Sequence, residues 1–237
     1  MTRKMFFLFC FFLLVYTIHA QSFAWGIKGG LTTGYQKWEN TPRDLLFKYH
    51  GALYIESLPA GNDFALFAQA GYHIKGSALR NLRSNLGTGG VFRLPSQEFL
   101  FRNASVTVGA KQKFNFRDQA KAFYAFGLRG DYTLSTNLDS FREINSLFFP
   151  DNFFVRRFNY GAYLGGGLEF ALADLVGAVV ELNISPDFSL QYKQPSLPNV
   201  TDPFTSQQIT LPERRIVNVV LELSVGIRLL RIVEYVD

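Results

Sequence analysis

Between Arg215 and Leu230 the chain reads RIVNVVLELSVGIRLL. From Val217 onward every second residue is large and apolar: Val217, Val219, Leu221, Leu223, Val225, Ile227 and Leu229. The intervening register is Asn218, Val220, Glu222, Ser224, Gly226 and Arg228. Strict period-two alternation makes a strand with one apolar and one polar face. A tilted strand needs only about 9–11 residues to cross a bilayer. This stretch therefore predicts the closing strand of a transmembrane barrel, and the rest of the chain repeats its design.

The first 20 residues carry a basic start (Arg3, Lys4), an apolar run from Met5 to Tyr16, and Ala20 before Gln21. That is the layout of a secretory signal peptide cut after Ala20. It leaves residues 21–237 as one expected domain. The sole cysteine, Cys10, lies in the segment to be removed, so a disulfide framework or a thiolate metal site is not expected. Loss of Arg3 and Lys4 lowers the formal charge from +5 by two. Such a mild excess does not argue for a nucleic-acid partner.

Eight strands are predicted, over about residues 23–38, 46–58, 64–75, 102–116, 121–135, 159–172, 175–192 and 215–230. Short connections fall at 59–63, 117–120 and 173–174. Long ones fall at 37–45, 76–101, 137–158 and 193–214. Short turns on one rim and long loops on the other match bacterial outer-membrane barrels, where the turns are periplasmic. An even strand count puts both termini on the periplasmic side. The fold class expected is all-β: an eight-stranded antiparallel up-and-down transmembrane β-barrel.

Periodicity does not say which register faces out, and a soluble barrel would turn its apolar face inward. Three features favour the reverse. The polar register is crowded with glycine, which weakens a solvated strand face but makes room inside a narrow bore. Its charges nearly cancel. Lys28, Lys48, Lys75, Lys111, Lys113, Arg129 and Arg228 stand against Glu56, Asp131, Glu169, Glu181, Asp187 and Glu222, as an interior network requires. Aromatics such as Trp25, Tyr35, Tyr49, Tyr72, Tyr124, Tyr132 and Tyr160 sit near the ends of the apolar register, as interfacial girdles do. Eight strands leave a bore that side chains can fill, so a plugged lumen is expected.

Two stretches resemble the PorT-like outer-membrane β-barrel proteins of Bacteroidota. Trp25-Gly26-Ile27-Lys28-Gly29-Gly30-Leu31 is similar to that family's opening Gly-x-Lys-Gly-Gly stretch. Gln69-Ala70-Gly71-Tyr72-His73-Ile74-Lys75-Gly76 is similar to its Tyr-x-x-Lys-Gly strand end. The resemblance implies an eight-stranded barrel in the outer membrane of a diderm (Gram-negative) bacterium, with no catalytic residues. Some relatives serve protein secretion or envelope assembly, so a protein partner in such a complex becomes an expectation.

His50 and His73 fall on the polar register of neighbouring strands with Glu56 near, but no third ligand at metal spacing accompanies them. They are assigned to the lumen network, and no cofactor is expected. Arg129 and Asp131 could serve acid–base chemistry only in a cleft with a substrate, and pairing inside the barrel is the expectation. Arg80, Arg83, Arg93, Arg156 and Arg157 lie in long loops. There they suit lipopolysaccharide phosphates or are ordinary solvated charge. Phe148, Phe149, Phe153 and Phe154 form apolar clusters that suit a partner surface or a loop folding over the barrel mouth. The expected role is a non-enzymatic structural or accessory component. The alternatives are a lipid-A-modifying enzyme or a narrow channel.

Overall fold

In a computed structural model the barrel closes on itself. The structure describes residues 22–38, 43–58, 63–80, 83–85, 91–93, 95–117, 120–141, 150–201 and 206–231. The signal-peptide segment, Phe148 and Phe149 lie outside the described residues. The barrel strands are β1 (Phe23–Lys37), β2 (Leu46–Ser57), β3 (Phe64–Leu79), β4 (Gln97–Arg117), β5 (Ala120–Thr136), β6 (Phe158–Ala173), β7 (Val176–Pro186) and β8 (Arg214–Arg231). Each pairs antiparallel with the next, and β1 pairs with β8 from Phe23↔Arg231 to Lys37↔Val217. Closure leaves no open edge in the ring, so the backbone polar groups are satisfied without water.

The alternation sets the faces. Leu31, Leu53, Leu66, Leu128 and Val225 point out and are exposed, with Leu128 the most exposed of them at 66%. The other register points in and is largely buried, ions such as Lys28, Lys75, Glu56 and Glu181 included. The molecule is thus inverted relative to a water-soluble barrel. A strip of aliphatic side chains this continuous is stable only against lipid or another apolar surface. The chain is an eight-stranded transmembrane up-and-down β-barrel.

Three differences from the sequence reading have physical causes. Strands β3 and β4 run farther toward the long-loop rim than expected, to Leu79 and from Gln97, because they pair with each other through Leu79↔Gln97. The seventh strand ends at Pro186 and not at residue 192. Proline has no N–H to continue a ladder. Beyond it Tyr192–Gln194 rejoins the sheet as a separate strand beside β8. Ile74, expected on the lipid face, is buried, as are its neighbours from His73 through Ala78. There the upper end of β3 leans toward β1. Gly76 has φ +150°, and a Cβ at that position would lie 1.9 Å from the Phe99 carbonyl oxygen. Only glycine fits the bend. Two further hairpins form in the long loops, 83–85 with 91–93 and 197–201 with 208–211.

Candidate functional site: the filled lumen and its two mouths

The inward register of all eight strands converges on a bore organised in tiers. Nearest the short turns, Lys111 and Lys113 face Glu56 and Glu169. Lys111 Nζ lies 2.7 Å from Glu56 and 3.0 Å from Glu169. Lys113 Nζ lies 2.9 Å from Glu169 and is in close contact with Glu56. Each ammonium therefore meets both carboxylates in a closed square. Arg228 approaches the same carboxylates from β8 at longer range, 3.4 Å to Glu56 and 3.3 Å to Glu169.

The middle tier holds one ion pair wrapped in rings. Lys28 donates to Glu181 at 2.7 Å, and the Tyr163 hydroxyl also donates to Glu181. Tyr54, Phe67, Phe123 and Tyr163 surround the pair as a buried cluster. All four rings lie across a glycine on the adjacent strand: Tyr54 opposite Gly26, Phe67 opposite Gly109, Phe123 opposite Gly167 and Tyr163 opposite Gly127. A Cβ on Gly26, Gly109 or Gly167 would come within 3.0 Å of the facing ring. Glycine and aromatic thus pair across the ladder, the ring covering the backbone that the glycine bares.

Toward the long loops the third tier is acidic in balance. Lys75, fully buried, lies 2.5 Å from Asp131 and 2.7 Å from Asp187. Arg129 reaches Asp187 at 2.8 Å and Asp131 at 3.1 Å. His73 stands between Glu222, 3.0 Å away, and Asp131, 3.2 Å away. His50 contacts Thr32 and Ser224 hydroxyls at 3.0 and 2.8 Å. Asn218 donates to Asp187 at 2.9 Å. Across the tiers, six Lys or Arg cations meet six carboxylates, and the lumen as a whole is compensated.

Lys48 stands apart from these tiers. It is partly exposed toward the long-loop rim and pairs with Glu98 at 2.7 Å, a partner beyond the predicted start of the fourth strand. The side chains fill the bore closely. The space beside Lys28, Tyr54 and Tyr163 amounts to about 10 Å³, and that beside His50 and His73 to about 20 Å³. A void that small holds about one water at most.

The two mouths differ. On the long-loop side Phe99, Phe101, Leu138 and Phe141 form a second buried cluster, with Leu79 and Val155 packed on it. Phe99 and Phe141 stack at 4.8 Å. The Arg43 guanidinium lies 3.7 Å above Trp38 and 4.4 Å from Phe99, a cation–π contact on two rings. Burial, followed by the nearby charge of Arg214, holds Arg43 below its ordinary pKa. At the same rim Arg215 holds Glu213 below the usual carboxylate range. On the short-turn side a vestibule of about 290 Å³ opens among Ser57, Asp63, Ala65, Lys113, Lys121 and Arg228.

The loop residues singled out from the sequence are scattered. Phe153 is 84% exposed, whereas Phe154 folds back edge-on against Tyr192 at 6.0 Å. Arg156 and Arg157 are exposed ahead of β6. Arg80 is exposed after β3, its guanidinium 5.8 Å from the Phe47 ring. Strands β4 and β5 separate it from Arg156 and Arg157. Arg83 and Arg93 pair through their backbones in the loop hairpin. Among the described residues no group of three His, Cys, Asp or Glu could hold a metal.

Sequence reasoning missed the aromatic mouth. Phe99 and Phe101 fall within the long connection expected at 76–101, although in the structure they continue the inward register of β4. It also missed the aromatic–glycine pairing, whose signal is present: Tyr54, Phe67 and Tyr163 already fell in the register with the charges.

No family model matches the chain, and no curated protein sequence matches it. Solved structures do. Neisserial surface protein A (NspA) is 10% identical, with a TM-score of 0.47, over 87% of this chain and 97% of that one. The outer membrane protease OmpT from Escherichia coli is 9% identical, with a TM-score of 0.44, over 90% and 98%. Ail, the attachment invasion locus protein of Yersinia pestis, in complex with the heparin analogue sucrose octasulfate, is 10% identical, with a TM-score of 0.39, over 87% and 98%. These structural neighbours of the chain are small outer-membrane β-barrel proteins.

Proposed function

We propose that this chain is an integral outer-membrane protein of a diderm bacterium. In this reading it acts as a non-enzymatic structural or accessory component and belongs to an envelope or protein-secretion assembly. The long loops face outward and both termini face the periplasm. The observation that carries the reading is the closure of the lumen's charge account: its cations and carboxylates face one another in a bore with almost no free volume. A catalytic bore keeps polar groups poised for a substrate, and a conducting bore keeps a water column. In this one those groups are engaged with each other. What such a barrel offers to other molecules is its rims.

The resemblance of the β1 and β3 stretches to PorT-like proteins supports the assembly role. The exposed Phe153 beside exposed Arg156 and Arg157 supports an outer-rim contact with a protein partner or with lipopolysaccharide. The test uses a photocrosslinker placed at Phe153 and, separately, at lipid-facing Leu128, in cells expressing the full chain. The expected result is a discrete protein or lipopolysaccharide adduct from position 153 and only phospholipid from position 128. A chain that gives no adduct at 153, runs alone in mild detergent and changes the mass of lipid A when deleted would sink the accessory reading. Ion current across a planar bilayer is expected to be absent.

A further inference from the structure

The lumen is neutral as a whole but not tier by tier. The tier next to the short turns holds three cations, Lys111, Lys113 and Arg228, and only two carboxylates, Glu56 and Glu169. The two lysines close a square with the two carboxylates at hydrogen-bond distance, so Arg228 is the ion in excess. Its contacts with those carboxylates are the longest of the tier, and its Nε, although buried, has no hydrogen-bond partner. The balancing acidic excess lies in the third tier, beyond the ringed middle of the bore. Arg228 and Lys113 also line the vestibule of about 290 Å³, with Lys121 at its rim. Lys121 meets Asp63 only at 3.6 Å, and both are about half exposed.

We propose that the vestibule at the short-turn mouth is a binding site for a small oxyanion, a carboxylate or phosphate group, held by Arg228 with help from Lys113 and Lys121. Three features converge on it: a guanidinium in excess of its tier's carboxylates and only loosely paired with them, an unfilled N–H on that guanidinium, and a cavity of molecular size at the same place. The guanidinium fork suits planar or tetrahedral oxyanions. The strand walls separate the cavity from the lipid face, so the ligand is a group that enters from solvent along the barrel axis.

The test is a calorimetric titration of the full chain with sodium phosphate, and separately with sodium acetate. Both are run at low salt in dodecyl maltoside free of phospholipid. Saturable one-site binding is expected. Binding should weaken about tenfold in Arg228→Gln, the loss of one charge-assisted hydrogen bond. Lys48→Gln at the opposite rim is expected to leave the affinity unchanged. Arg228→Gln retains the lysine–glutamate square, and a native heat-modifiable band on gels checks its fold. A second variant, Lys121→Gln, removes a rim charge without touching the bore and is expected to weaken binding less. Glu234 and Asp237, which follow β8 in the sequence, are the chain's own alternative source of carboxylate to be tested. If only the Glu234→Gln/Asp237→Asn chain binds added phosphate, the oxyanion site is real and is filled from within. If neither chain binds, or if Arg228→Gln binds as tightly as the parent, the proposal is overturned.

Discussion

The two ends of the bore are finished in different chemistry. Toward the short turns the last groups are ions, Lys113, Arg228, Glu56 and Glu169, opening into a vestibule. Toward the long loops the last groups are rings and aliphatics, Phe99, Phe101, Leu138 and Phe141, with Arg43 laid over Trp38 and Phe99. The ionic end is held by few, directional and mutually dependent contacts. The aromatic end is held by area. Removing one partner from a buried ionic square strands the others in a medium that solvates them poorly. Removing one ring from an aromatic cluster leaves a cavity that the neighbours can partly close. The short-turn end is therefore expected to tolerate little change, and the long-loop end to open locally without unmaking the barrel.

The sharpest way to break this comparison is Glu56→Gln. Glu56 is fully buried and contacts Lys111, Lys113 and Arg228. Its neutralisation leaves three cations with one carboxylate and should cost about 3–5 kcal/mol of barrel stability. Urea unfolding in detergent micelles measures it. A shift below 1 kcal/mol would mean that water reaches this tier freely.

Next comes Phe99→Ala, expected to cost about 3 kcal/mol of the outer mouth's packing. That loss should appear as faster protease cleavage in the long loops, with a smaller change in the global unfolding midpoint. Equal loss in both readouts would show that the mouth and barrel unfold as one unit. Leu128→Arg probes the surface between the two ends. If that face lies in lipid, the arginine costs about 2–4 kcal/mol near the bilayer midplane. A neutral effect on folding into liposomes would contradict the inverted architecture. The smallest effect is expected from Lys48→Gln. Its pair with Glu98 is partly exposed, and such pairs contribute under about 1 kcal/mol. A loss as large as that at Glu56 would place Lys48 functionally inside the bore.

Much of the barrel was legible in the chain because a strand reports its faces every second residue. The alternation at Val217–Leu229 assigns β8 without any tertiary information, and the same holds for β5 from Tyr124 to Leu134. The ends of strands were less legible. Whether β4 begins at Gln97 or at Arg102 depends on a ladder with β3, and single-chain periodicity carries no record of a partner. The seventh strand shows the converse. Polar–apolar alternation continues past Pro186, but the continuous ladder does not, and Asp187 points into the bore from an isolated bridge to Gly161.

The order of residues along the chain is enough to specify a β protein with one apolar and one ionic register, eight times over, with short and long connections alternating. Local spacing is enough for that, because side-chain direction in a strand is fixed by residue parity. Which ions meet is set by the closed barrel. Lys75 finds Asp187, and Lys28 finds Glu181, across the bore from strands far apart in the chain. It also decided that the excess cation lies at Arg228, beside an open vestibule, and the compensating acid deeper in the bore. Such assignments depend on strand tilt and shear around the closed ring, which set the height of each residue along the barrel axis. No period read along one strand contains that height.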